Sequence, residues 1–217
     1  MTSLRILIVD DHAVVRRGVR SLLESQPGWE IAGEATTGRE AVDMAKRLRP
    51  DVVVMDLSLP ELNGLDATRQ ILKDSPHSEI LVLTMHHSED LARDVLQAGA
   101  RGYVLKSDAD ESLITAVESL RQHKPFLTSR VTEFVLDDYL RRGETLLDGM
   151  ANEAVTVRER EIIQLLAEGK SNKEAASMLG ISVKTIEAHR ANIMRKLHLR
   201  SVSDLVRYAI RNRIIQP

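Results

Sequence analysis

The amino-acid sequence predicts an α/β fold in which a doubly wound domain, built on a five-stranded parallel sheet, precedes a smaller all-α domain. Three observations carry that prediction. Short apolar, largely β-branched runs alternate five times with segments of helical period between residues 4 and 121. From Thr156 onward the periodic segments are all helical, punctuated by capping residues and glycines. Charge divides between the same two parts: residues 153–217 hold 12 Lys+Arg against 7 Asp+Glu, leaving 18 against 25 for the residues before them. The acidic front suits a cation and the basic back a polyanion.

Taken in order, Leu4–Val9 reads as a strand that runs straight into Asp10 and Asp11. In the helix predicted over Ala13–Leu23, Val14, Val15, Val19, Leu22 and Leu23 fall at helical spacing. Trp29–Glu34 is a weaker second strand. Gly38–Leu48 follows as a second helix with Ala41, Val42, Ala45 and Leu48 inward. The organising stretch comes next: Val52-Val53-Val54-Met55, bounded by Pro50 and Pro60, reads as a strand buried on both faces and ends in Asp56. Helix Leu65–Leu72 follows the Asn63-Gly64 turn. Strand Ile80–Leu83 closes on Thr84, and helix Glu89–Gln97 is stopped by Gly99. The fifth strand, Gly102–Leu105, closes on Lys106 and leads into helix Ala109–Arg121.

Right-handed crossovers lay these strands side by side, so their polar ends meet at one edge of the sheet. Four of the five strands end in such residues: Asp10 and Asp11, Asp56, Thr84 and Lys106. Any one of them alone reads as a strand-end cap or a surface charge. Together they have one chemistry. Three carboxylates make a hard oxygen site suited to Mg2+, Lys106 can neutralise phosphoryl oxygens, and the Thr84 hydroxyl can donate to one. A carboxylate nucleophile in that setting is equipped to accept a phosphoryl group.

The motifs Ile8-Val9-Asp10-Asp11-His12, Met55-Asp56-Leu57-Ser58-Leu59-Pro60 with Asn63-Gly64, Leu83-Thr84 and Gly102-Tyr103-Val104-Leu105-Lys106 make residues 4–121 resemble the receiver domain of a two-component response regulator. The resemblance implies a flavodoxin-like sheet of order 2-1-3-4-5 and phosphorylation of Asp56 by a histidine kinase. It also implies a Mg2+ site on Asp11 and Asp56, with Asp10 nearby and the Ser58 backbone carbonyl completing the protein's share. Thr84 and Tyr103 would form a switch pair. Ser107 departs from the family pattern, which often has proline after the lysine.

The first domain is predicted over residues 1–122 and a linker over 123–152. Val131, Phe134, Val135, Leu136 and Leu140 could line one linker helix between breaks at Leu127-Thr128-Ser129 and Arg142-Gly143-Glu144. In the second domain, residues 153–217, Thr156 and Glu159 form a capping box before a helix over Arg160–Glu168, and Gly169 stops it. Helix Asn172–Leu179, the Gly180 turn and a Ser182-capped helix over Val183–Leu197 follow helix-turn-helix grammar. Ile186, Ile193 and Leu197 face inward, leaving Lys184, Thr185, Glu187, Ala188, Ala191, Asn192 and Arg195 outward. A plain αα-hairpin would share this spacing; the basic balance favours DNA. A last helix over Ser203–Arg213 carries the apolar stripe Leu205, Val206, Ala209 and Ile210.

The runs Thr156–Glu161, Gly169–Ala176 and Ile181–Ile193 resemble the LuxR-type helix-turn-helix, and the whole chain resembles a NarL/FixJ-type response regulator. This implies a transcription factor whose third helix enters the major groove, with Asn172, Lys173, Lys184, Thr185, Glu187, Ala188, Ala191, Asn192 and Arg195 as candidate DNA-contacting residues. A homodimer would read two half-sites, and RNA polymerase is a further candidate partner. Glu187 could either accept from cytosine N4 or pair with a neighbour.

Zero cysteines among 217 residues exclude a disulfide framework and thiolate metal sites, and the seven histidines lack paired ligand spacing. No apolar run has the length of a membrane span and no signal-peptide pattern opens the chain, so a cytosolic protein without catalytic turnover is expected. A Mg2+-dependent phosphatase that forms an aspartyl phosphate would want a second acid two residues after the nucleophile, where Ser58 stands. A flavin carrier would want a Gly/Ser/Thr-rich phosphate loop in place of Asp10-Asp11-His12. Against a DNA-binding regulator that works without phosphorylation stand the intact acids, Thr84 and Lys106.

Overall fold

A computed structural model describes residues 3–85, 88–128, 131–132 and 155–215. The chain divides into two compact units, Met1–Leu146 and Leu147–Pro217. In the first, β1 (Leu4–Val9), α1 (Ala13–Glu24), β2 (Trp29–Ala35), α2 (Gly38–Leu48), β3 (Val52–Met55), α3 (Gly64–Asp74), β4 (Glu79–Thr84), α4 (Glu89–Gln97), β5 (Gly102–Leu105) and α5 (Ala109–Arg121) alternate as the hydrophobic pattern requires. The sheet order is β2-β1-β3-β4-β5, with every neighbouring pair parallel.

Burial on both faces follows from the period of two. Leu7, Val9, Val53, Met55, Ile80, Val82, Tyr103 and Leu105 enter one hydrophobic cluster with residues of α2, α3 and α4. Ile6, Ile8, Val52, Val54, Leu81, Leu83 and Val104 enter the other, with residues of α1 and α5. Each buried valine, leucine or isoleucine contributes about 1.5–3 kcal/mol, so the two cores hold the strands in one register. That register aligns Val9 with Met55, Met55 with Val82, and Thr84 with Leu105. The residues that follow therefore emerge together at one edge.

Two features lie beyond the expected pattern. The sheet is six-stranded: Phe126–Leu127 forms β6, parallel to β5, within the segment read as linker. Two residues carry no periodicity, and the strand exists only because β5 offers it a free edge; the Phe126 N–H donates to the Arg101 carbonyl at 2.9 Å. Val14 is 80% exposed, because the seam of α1 runs through Val15, Val19, Leu22 and Leu23, one position beyond it. The linker positions Phe134, Val135, Leu136 and Leu140 lie outside the described residues, as does the break at Arg142-Gly143-Glu144.

In the second unit α6 (Val157–Ala167), α7 (Asn172–Leu179), α8 (Val183–Lys196) and α9 (Val202–Arg211) enclose a core that includes Ile162, Leu165, Ala175, Ile186, Ile193, Leu205 and Ala209. Local chemistry starts and stops each helix. Thr156 accepts from the Glu159 N–H while Glu159 accepts from the Thr156 N–H, and Ser171 and Glu174 repeat this box before α7. Gly180 ends α7 at φ +63, a left-handed conformation that costs a residue without Cβ little. Buried Ala175 and Ala176 let α7 and α8 pack closely. Ser182 caps α8 and Ser201 caps α9.

Candidate functional site

Asp10 follows β1 and Asp56 follows β3, and the backbone ladder continues one step past the strands: the Asp56 N–H donates to the Val9 carbonyl at 2.8 Å. Both carboxylates are buried, at 3% and 2% exposure. Lys106, at the end of β5, reaches into them. Its Nζ lies 2.7 Å from Asp10 Oδ2 and 2.9 Å from Asp56 Oδ2. Burial pushes the Asp56 carboxyl above the usual carboxylate range, opposed by the hydrogen bond from Lys106. Burial alone would lower the Lys106 pKa, but its hydrogen bonds to Asp10 and Asp56 outweigh that and hold the ammonium above its ordinary value. The group is thus a largely shielded cation between two buried acids.

Around this pair the loops are fixed by backbone donors. The Leu57 N–H donates to Asp56 Oδ1 at 2.8 Å, and the Ser58 N–H also donates to the Asp56 carboxylate. Asp10 Oδ1 accepts from the His12 N–H at 2.8 Å, and the Asp10 carbonyl accepts from Arg16 at 2.7 Å. Asp11 is exposed, with His12 Nδ1 2.7 Å from its Oδ1. Asp10, Asp11, His12 and Asp56 each offer a donor atom, all within 4.8 Å of one another. Three of those donors are carboxylate oxygens, a set that fits a hard divalent cation.

Thr84, at the end of β4, is fully buried beside the start of the Lys106 segment. Tyr103, also buried, shares its hydrophobic cluster with Leu91, Ala92 and Val95 of α4, and burial pushes its hydroxyl up to about 12. Asn63-Gly64, expected as a turn and as part of the receiver motif, has a further role. Here Asn63 caps α3, accepting from the Asp66 N–H while its side-chain amide donates to Asp66, both at 2.9 Å. A Cβ on Gly64 would stand 1.9 Å from the Asp56 carbonyl oxygen. The spacing Asn63-x-x-Asp66 is a capping signal that could have been found; the close approach of Gly64 to Asp56 leaves no signal in the sequence.

On the second unit Lys184, Thr185, Glu187, Ala188, Ala191, Asn192 and Arg195 are all exposed along α8, and Lys173 is exposed on α7. Asn172 is half-buried and accepts from Arg190 at 3.4 Å. Thr185 Oγ1 is 2.8 Å from Ser182 Oγ, and Arg195 donates to Asn192 at 2.6 Å. Ile186 and Ile193 are buried, and Leu197, partly buried, packs against the same core. Among the described residues no helix is long and apolar enough to cross a membrane.

An acidic edge on a doubly wound sheet, followed by a capped helix-turn-helix, defines a signalling protein with an output domain, and comparison with known proteins identifies the class. The response regulator receiver domain matches residues 6–118, and the LuxR family of bacterial regulatory proteins matches residues 153–209. The chain belongs to the two-component response regulators with a LuxR-type DNA-binding domain, the NarL/FixJ type. It is 38% identical to the oxygen regulatory protein NreC of Staphylococcus epidermidis, over 98% of this chain and all of that one. Against the transcriptional regulatory protein LiaR of Bacillus subtilis the identity is also 38%, covering 98% of this chain and 99% of LiaR. A structure of the response regulator RcsB in complex with DNA aligns with a TM-score of 0.59 at 28% identity, over 95% of this chain and 98% of the other.

Proposed function

We propose that this response regulator accepts a phosphoryl group on Asp56 from a histidine kinase and, in that state, binds DNA as a dimer through α8. The observation that carries the reading is Lys106 bridging Asp10 and Asp56 at 2.7 and 2.9 Å. A phosphoryl group on Asp56 adds negative charge where an ammonium already stands, so the contacts of Lys106 with Asp10 and Asp56 must rearrange to meet it. Thr84 and Tyr103, flanking that lysine on β4 and β5, are the positioned candidates to follow the change. Asp11 and Asp56, with Asp10 nearby and the Ser58 carbonyl, would hold Mg2+. When bound, the ion supplies charge neutralisation for the phosphoryl oxygens.

The output side rests on α8. Its exposed face, with Asn172 and Lys173 at the start of α7, suits phosphate contacts at the rim and base edges at the centre. Val206 and Ile210 of α9 remain half-exposed while Leu205 and Ala209 are buried, so part of the stripe is left to pair with its own copy about a twofold axis. RcsB, seen in complex with DNA, supports the same reading. A domain division at residues 1–122, 123–152 and 153–217, with β6 placed at the start of the linker, accompanies it, in a protein expected in the cytosol.

Lys106→Ala is expected to accept phosphate from acetyl phosphate and Mg2+ yet to remain monomeric, whereas the parent shifts toward dimers. Sedimentation with and without the donor checks this; the same shift in both proteins would remove Lys106 as the reader of the phosphoryl charge. For DNA, affinity should fall steeply with salt, since each phosphate neutralised by lysine or arginine releases counterions with a slope of about −0.9 per contact. Lys184→Ala should weaken binding about equally on all sequences and lower that slope by about one. A salt-independent affinity would sink the electrostatic reading.

A further inference from the structure

Glu187 stands at the middle of the exposed face of α8, and its carboxylate has no obvious place against a polyanion. The two cations one turn away on the helix, Lys184 and Arg190, do not neutralise it. Arg190, one turn after it, donates to Asn172 instead. Lys184, one turn before it, forms no ion pair with it, and among the described residues the Glu187 side chain has no hydrogen bond or ion pair. Next on the same face come Ala188 and Ala191, each ending in a single methyl. Glu187 therefore projects beyond them and would be the first side chain of that region to meet a base edge.

We propose that Glu187 is a specificity-determining residue that selects cytosine in each half-site. The inference rests on the reading of α8 as the major-groove helix. An ionised carboxylate only accepts hydrogen bonds. In the major groove guanine shows the acceptors N7 and O6 and thymine shows O4, all of which repel it. Adenine sets its N6 donor beside the acceptor N7. Cytosine shows the N4 amino donor with no acceptor on its own major-groove edge, and is the base whose edge suits a carboxylate best. Facing any other base, the same charge is left desolvated and unpaired, which turns it into a device for rejecting wrong sites.

The test selects duplexes from a pool with a randomised segment, using the full chain in Mg2+ and acetyl phosphate, and compares the parent with Glu187→Gln and Glu187→Ala. Circular dichroism checks that the exposed substitutions leave the helices intact. The parent is expected to enrich cytosine at one position of each half-site, by about tenfold over the other bases. Glu187→Gln, which can both donate and accept, should move that position to adenine. Glu187→Ala should leave the position without preference while the others are unchanged. If all three proteins enrich the same sequences, α8 still reads DNA but Glu187 does not specify a base. Should none enrich any sequence, the groove reading and this inference fall together.

Discussion

Asp56→Asn is expected to abolish phosphorylation, reducing the adduct formed with acetyl phosphate and Mg2+ from near stoichiometric to undetectable by intact mass. The carboxylate oxygen forms the new bond to phosphorus while acetate leaves, and a neutral amide is a poor nucleophile for that displacement. Asp10 and Asp11 do not offer an equivalent. Asp11 lies exposed beside the His12 ring, and Asp10, which shares Lys106 with Asp56, accepts from one backbone donor, the His12 N–H. Asp56 alone is held by the N–H groups of the two residues after it, which aim it out of the sheet edge. The pH dependence has a definite sign. Burial raises the Asp56 pKa above the ordinary 3.8, so the unprotonated nucleophile is lost on acidification at a higher pH than for a free aspartate. An Asp56→Asn protein that labels like the parent, or an adduct mapped to Asp10 or Asp11, would show the assignment to be wrong.

Gly64→Ala is expected to be the most damaging single-methyl change near the site. The added carbon would lie 1.9 Å from the Asp56 carbonyl oxygen and 2.9 Å from the Leu57 Cα. Both are backbone atoms, so relief requires moving the loop that carries Asp56. Overpacking of this kind costs about 3 kcal/mol. In a protein of this size that lowers Tm by roughly 6–12 °C. Labelling of Asp56 should slow in parallel, since the same loop aims the carboxylate. Gly18, whose Cβ would meet nothing within 4 Å in α1, provides the control: alanine there should stabilise by about 0.5–1 kcal/mol. Equal melting of the Gly64→Ala protein and the parent would mean that the loop is soft and does not position Asp56.

Much of the architecture was legible because it is encoded in near neighbours. Strand periodicity and the polar residue closing each run are properties of four to six consecutive residues, and all five predicted strands occur where that pattern lies. Helix punctuation is equally local: the Thr156–Glu159 box, the Ser182 cap and the left-handed Gly180 each act within one turn. The exposure of the α8 face also follows from its period. The sequence could propose that Asp10, Asp56 and Lys106 meet, because parallel strands share an edge.

Only the tertiary structure decided how they meet. That one lysine spans two acids, one of them 50 residues away, depends on the registers of β1, β3, β4 and β5, which no local window contains. The crowding of Gly64 against Asp56 depends on the path of a loop, and β6 on a free sheet edge. Whether Glu187 was neutralised or left bare turned on where Arg190 found its partner. Period and capping are set by bonds within a turn or a strand, so the sequence alone determined them. Pairing at a distance is set by which surfaces the folded chain brings within a few ångströms, and that belongs to the tertiary structure.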